Sequence, residues 1–343
     1  MPALPLLLAL LSTAAAAPAA PGLHAEARTL MATEVRVTLA GVRDADAPAH
    51  LEAAFAPFLR VEAAMNEWRP GSRLSQVNAA AGSGRFVVLG PGDADLCEVL
   101  GASLAAAQRT GGLFDPTWAA LRELWRFGTD AGTRPPEPAA LARACPLVDW
   151  RGVELRRDGA KGGCRVRLAR RGMRLGLGGV AKGWAVDRAV AALRARGLRD
   201  FLVQAGGDLY AAGTKAPGQP WRVGVRDPRG SPGTSFASLE VRDAAFSTSG
   251  DYERFFLFEG QRYHHLIDPR TCRPGTQSRS ATVLARTALD AEFLGKAVFL
   301  AGGAEGLALA QAWGASAVLV TADNRVLTSP ALQGALRQRA PTP

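Results

Sequence analysis

The chemistry-bearing residues of this 343-residue chain crowd into one stretch, residues 248–274, which reads TSGDYERFFLFEGQRYHHLIDPRTCRP. It carries two of the four histidines, His264 and His265, with Asp268 close behind. An imidazole, a carboxylate and the hydroxyls of Thr248 and Tyr252 in one segment suit proton transfer to or from a bound group. Phe255, Phe256 and Phe258 make an apolar strand pattern, Glu259-Gly260 a turn and residues 263–267 a second strand, which predicts a β-hairpin. A hairpin delivers such side chains to strand ends and loops, where a rigid scaffold holds them. His264 alternates with His265 and is expected to face the other side of the sheet. Read without any function, the stretch is a capped hairpin with two half-exposed histidines.

A second concentration is MRLGLGGVAKGWAVD, residues 173–187. The spacing predicts a strand through Gly176, Gly178 and Gly179 that runs into a helix bearing Lys182 and Asp187. Glycines at such a turn let backbone N–H groups approach an anion, and the helix N-terminus adds its positive end. The Walker pattern is absent, and Gly176 to Ala181 match only the looser GxGxxA form of the dinucleotide fingerprint. Tight packing is the competing account of these glycines. Lys182 stands out because only four of the 41 basic residues are lysine: Lys161, Lys182, Lys215 and Lys296.

Elements that must position these groups are legible along the chain. Residues 34–39 alternate as a strand, and 46–66 have helical periodicity with Leu51, Phe55, Phe58 and Val61 on one side. EWRPGSRLSQVN is a turn leading into a short helix, and 93–109 form a second amphipathic helix. Asp115-Pro116-Thr117 turns the chain into another helix, 128–141 reads as a surface loop, and 153–168 as two short strands. Further strands are expected at 201–205, 221–228, 238–241, 280–285 and 317–321, and helices at 289–302 and 304–313. Strands and helices mix without a strict βαβ repeat, so the fold class is α+β. With 48% hydrophobic residues and no long linker, one large domain or two closely joined ones can bury a sizeable core.

Residues 1–21, MPALPLLLALLSTAAAAPAAP, read as a secretory signal peptide, because the apolar run is too short to span a membrane. No later segment has the length of a transmembrane helix, and a soluble exported protein is expected. The formal charge of +10 comes from scattered arginines without a dense basic run, which argues against nucleic-acid binding. Cys97, Cys145, Cys164 and Cys272 fit no CxxC motif. They form up to two disulfides, of undetermined connectivity, or remain free.

Taken in order, MATEVRVTL, EWRPGSRLSQVN, TGGLFDPT, LGLGGVAKGWAVD, GGDLYAAG, PWRVGVRDP, TSGDYER, HHLIDPRTCRP and AEFLGKAVFLAG resemble the motifs of the FAD:protein FMN transferase family, the ApbE-type flavin transferases, over residues 31–327. The resemblance implies an ApbE-like (T-fold-like) arrangement of mixed sheets with packed helices in two closely joined subdomains, over 22–335, with a flexible tail at 336–343. It further implies a periplasmic enzyme that cleaves FAD and attaches FMN, through a phosphoester, to a Thr or Ser of an acceptor protein, with release of AMP and assistance from Mg²⁺. The alternative is a periplasmic FAD-binding protein or FAD pyrophosphatase without an acceptor.

By position, the resemblance assigns FAD contacts to Met31, Trp68, Leu113, Phe114 and Asp115, and also to Gly176, Lys182, Thr248 and Leu266. His265 becomes the general base for the acceptor hydroxyl, and Asp268 either orients it or caps a turn. The metal is expected on the Gly179 carbonyl and on a carboxylate, Glu292 or Asp290. The departures concern that same site. Glu292 stands where the family has Asp, Lys296 where it has a ligating Thr, Gly176 where it has Asp and Cys272 where it has Gly. A Lys ammonium repels a divalent ion. Three readings follow: Lys296 replaces the metal, Mg²⁺ persists on Glu292 or Asp290, or the chain only binds or hydrolyses FAD.

Overall fold

A tight hairpin opens the described chain. Strands Gly22–Leu30 and Thr33–Val42 pair antiparallel around Met31-Ala32, whose φ angles of 52° and 56° are both left-handed. A two-residue turn needs that pair of angles to match the twist of its strands. The computed structural model describes residues 22–127, 133–159, 162–231, 233–338 and 341–342. The signal-peptide assignment and residues 128–132 of the expected surface loop lie outside the described residues.

This hairpin begins an eight-stranded sheet that continues through Phe201–Ala205, Asp208–Ala212, Ala244–Gly250, Ser278–Ala285, Ser316–Thr321 and Val326–Thr328. Each strand pairs antiparallel with the next, so chain order is spatial order. The rest of the chain is inserted into this meander. Helices α1 (Ala47–Met65), α2 (Arg73–Ala79), α3 (Ala94–Arg109), α4 (Pro138–Ala144) and α5 (Ala181–Ala195) fall between its second and third strands. A three-stranded sheet of Val87–Leu89, Val153–Arg157 and Cys164–Leu168 accompanies them. Helices α6 (Ala288–Ala301) and α7 (Gly303–Ala312) fall between the sixth and seventh strands.

Side-chain alternation explains the layers. Val203, Ala205 and Tyr210 pack with α1 and α5, while Ala281, Val283 and Leu319 pack with α6 and α7. Their neighbours Leu209, Ala211, Phe246, Val318 and Val320 face the opposite way, onto Trp221, Val225 and Phe236 of a second, four-stranded sheet. The middle of the central sheet is therefore apolar on both faces, between helices and a sheet, while its first two strands alternate more and less exposed residues. The expected α+β class is the observed one, with every described strand pairing antiparallel.

Several local expectations change. The expected strand through Gly176, Gly178 and Gly179 does not form: the backbone of Leu175 bonds to the Asn78 side chain and Gly176 N donates to Pro116 O. Asp115 starts a short 3₁₀ helix, Pro116–Leu121, and α4 begins inside the expected loop with Pro138 in its first turn. The second strand of the Phe255–Phe258 hairpin stops at His264, and Ile267–Asp268 pairs instead with Arg273–Pro274. The expected tail is partly structured. Arg337–Gln338 pairs with Ser235–Val241, and Thr342 donates its N–H to Asp227.

Candidate active site

Two helix ends and two strands of the central sheet converge on a cavity of about 1330 Å³. α5 begins at Ala181 and brings Lys182, the second helical residue, to its wall. α6 supplies Glu292 and, one turn later, Lys296. These helices approach closely because residue 183 is glycine: a Cβ there would stand 2.6 Å from Ala288 O and 2.9 Å from the Glu292 carboxylate. Asp187 holds the seam by accepting the Ala288 and Leu289 N–H groups at the start of α6. Burial outweighs those bonds and pushes the Asp187 carboxyl up to about 6.

Glu292, 1% exposed, is the hub of a charge cluster. Its Oε1 accepts from Lys182 Nζ at 2.5 Å and its Oε2 from Gly183 N at 2.8 Å. Lys182 also meets Asp208 Oδ2 at 2.9 Å, and Ser247 Oγ donates to the other Asp208 oxygen at 2.5 Å. Burial alone would lower the Lys182 pKa, but Asp208 and Glu292 outweigh it and hold the ammonium charged. Lys296 Nζ donates to the Glu292 carbonyl at 3.1 Å and stays 3.7 Å from Oε1, so the expected i, i+4 pair is the weaker of Glu292's two lysine contacts. The Lys296 side chain lies against Gly179, where a Cβ would come within 2.8 Å of Cε.

His265 lines the same cavity, and its Nδ1 is buried with no hydrogen-bond partner among the described residues. Burial, with His264, Arg254 and Lys296 adding positive potential, lowers its pKa to about 3. The ring is neutral at physiological pH. His264 does not line the cavity and is instead buried: Nε2 bonds the Gly275 carbonyl at 2.8 Å, the Leu266 N–H reaches Nδ1, and the ring meets Phe299 edge-on.

The structure brings Met31, Trp68, Leu113, Phe114, Asp115, Gly176, Thr248 and Leu266 to this cavity together with Lys182, Gly179, His265, Glu292 and Lys296. Trp68 is 63% exposed and has the Arg122 guanidinium 4.6 Å from its ring centroid, leaving an aromatic face for a planar ligand. Asp115 has local duties: Oδ1 accepts from Thr117 N and Oγ1, and Oδ2 from Trp150 N. Gly176 has no room for a side chain, since a Cβ would lie 2.8 Å from Ala119 and 2.9 Å from the Trp118 ring. Two assigned residues are not among the lining residues. Asp268 is bound by the Arg270 guanidinium at 2.7 Å and accepts the Arg270 N–H, the cap of its turn, and makes no hydrogen bond to His265. Asp290 exchanges bonds with Thr287 at the start of α6. Asp208, Ser247, Arg122 and Gly183 received no assignment from the sequence. For Asp208 the available signal was its place in the GGDLYAAG motif, directly after Gly206-Gly207.

The family model described as "ApbE family" matches residues 31–319. The chain belongs to the ApbE family. A Treponema pallidum relative named FAD:protein FMN transferase is 36% identical, over 92% of this chain and 89% of its own length. One from Rhodobacter capsulatus with the same name is 34% identical, over 89% of this chain and 56% of its own. The crystal structure of the ApbE protein from Thermotoga maritima superposes with a TM-score of 0.81 at 27% identity, covering 92% of this chain and all of that one.

Within this ApbE fold the implied Mg²⁺ can be tested against the donors present, and they do not fit it. Both Glu292 oxygens are already taken, Asp290 is turned to its cap, and an ammonium replaces the expected hydroxyl ligand. Among the described residues no three His, Cys, Asp or Glu side chains converge as a metal site. The disulfides are settled: Cys97 pairs with Cys164 and Cys145 with Cys272, the latter closing the loop that follows His265.

Proposed function

We propose that this chain is an exported FAD:protein FMN transferase. The observation that carries the reading is one cavity of dinucleotide size that is lined by two half-buried lysines, Lys182 and Lys296, and by a neutral histidine, His265, whose Nδ1 has no partner among the described residues, in an ApbE-family chain. FAD carries its negative charge on the pyrophosphate, and the cations and backbone around Gly178 and Gly179 suit that charge. Trp68, Met31 and Phe114 suit its planar rings. The acceptor's Thr or Ser oxygen attacks the phosphorus on the FMN side, forming a P–O bond. The bond from that phosphorus to the bridging oxygen breaks, and AMP departs with the electron pair. His265 takes the hydroxyl proton. In this reading Asp268 contributes by fixing the turn that follows His265. The short apolar leader and two disulfides support an oxidising, exported location.

The test is a mass measurement on an acceptor protein that the Treponema pallidum relative flavinylates, incubated with this chain and FAD. A phosphoester-linked FMN on Thr or Ser, with AMP released in equal amount and lost in His265→Ala, is expected. Free FMN and AMP with an unlabelled acceptor, or bound FAD with no turnover, would replace the transferase by a pyrophosphatase or a flavin binder.

A further inference from the structure

The charge cluster at Glu292 closes on itself without a metal. Two lysines, Lys182 and Lys296, face two carboxylates, Glu292 and Asp208: Lys182 is held charged between both, whereas burial and the neighbouring Lys182 push the Lys296 pKa down and leave it short of a counter-charge. A divalent ion entering between them would meet two cations within a few ångströms and would have to displace Lys182 from Glu292 before finding a carboxylate oxygen. Lys296, by contrast, uses a single hydrogen bond, to the Glu292 carbonyl, although an ammonium has three N–H donors. Its side chain lines the cavity beside Gly179, where an added Cβ would come within 2.8 Å of its Cε. Lys182 is the anchored member, locked between two carboxylates, and Lys296 is the member with donors to spare. An anion with two negative oxygens completes this arrangement, whereas a cation does not.

Resting on the transferase reading above, we propose that the Lys296 ammonium takes the place of the divalent metal, so that this chain binds the FAD pyrophosphate and transfers FMN without Mg²⁺. Lys296 then contacts the phosphate oxygens directly and offsets the charge that grows on AMP as the P–O bond to the bridging oxygen breaks. Lys182 and Glu292 position it: Glu292 fixes the start of the Lys296 side chain's turn of α6, and Lys182 occupies the carboxylate that would otherwise draw the Lys296 ammonium away from the cavity.

The experiment uses the purified chain with FAD and the same acceptor, in excess EDTA or in excess Mg²⁺, with the Treponema pallidum relative as a control. FAD affinity and Mn²⁺ binding, the latter by electron paramagnetic resonance, are measured in parallel. Transfer in EDTA within about twofold of that in Mg²⁺, and no Mn²⁺ bound by the FAD-loaded protein, are expected. Lys296→Met should weaken FAD binding by about tenfold, the scale of one lost ionic contact, while Lys296→Arg, which keeps a cation, retains most of it. Thermal melts of both variants establish that they fold. Transfer abolished by EDTA and restored by Mg²⁺ overturns the inference. If neither condition gives transfer while the control is active, the transferase reading fails, and FAD affinity decides the inference separately. A metal-independent affinity that Lys296→Met weakens keeps it, and one that Lys296→Met leaves unchanged overturns it.

Discussion

At the scale of the residue, His265 is unusual in being poor in protons. Its folded pKa of about 3 lies below the ordinary histidine value near 6.5, because burial and three neighbouring positive groups disfavour the imidazolium. The unfolded chain therefore takes up a proton first as pH falls. Stability from this group is complete above about pH 6.5 and is lost as pH drops toward about 3. Asp187, pushed up to about 6, works in the opposite sense over part of the same window, so the comparison must be with a variant. Thermal melts from neutral to acidic pH should fall less steeply for His265→Gln than for the parent chain. The acid limb of kcat/KM is likewise expected well below the usual histidine range. Trp68 supports a second prediction. Its exposed ring, backed by Arg122, is offered to a flat ligand, so Trp68→Ala should weaken FAD binding by about 1 kcal/mol in a fluorescence titration, and Trp68→Tyr by less.

At the scale of the element, the site depends on how closely α5 and α6 approach. Gly183→Ala puts a methyl against the Ala288 carbonyl and the Glu292 carboxylate, and overpacking of this kind costs about 1–3 kcal/mol. Urea unfolding should show that loss, and FAD binding should weaken with it, because Lys182 and Glu292 sit on the two helices being separated. The opening hairpin stores strain in the other direction. Ala32 sits at φ 56° with no glycine to relieve it, so Ala32→Gly should raise stability by up to about 1 kcal/mol in the same assay while keeping Met31 at the cavity.

At the scale of the whole molecule, two disulfides tie inserted segments together. Cys97–Cys164 spans 67 residues and joins α3 to the three-stranded sheet. Cys145–Cys272 spans 127 residues and joins the segment after α4 to the loop after His265, where Trp125 Nε1 also donates to the Cys272 carbonyl at 2.8 Å. Loops of this length correspond to about 4–5 kcal/mol each in the chain-entropy account. Reduction should lower the melting temperature markedly. Replacing Cys145 and Cys272 together with serine should in addition raise the KM for FAD, because that bridge braces the turn next to Leu266 and His265.

Local rules acting on neighbouring residues made much of this legible in the sequence. The amphipathic periods of α1 and α3, the Asp115-Pro116 turn, the hairpin around Glu259-Gly260 and the α+β class each follow from interactions within a few positions. The motif order pointed to the family, and most of the residues it assigned lie around the cavity. The sequence did not contain the partnership of Lys182 with Glu292, 110 positions apart, or of Lys182 with Asp208, because only the packing of α5 and α6 against the central sheet brings those charges together. Spacing along one helix favoured Glu292 with Lys296, and tertiary competition gave Glu292's nearer oxygen to Lys182 instead. Asp268 and Asp290 carry the right chemistry for a site, yet Asp268 accepts the N–H of its own turn and Asp290 accepts from the hydroxyl of Thr287, the N-cap of α6. Which carboxylate is spent on a cap and which is left facing the cavity was decided by burial and distance, and those belong to the folded molecule alone.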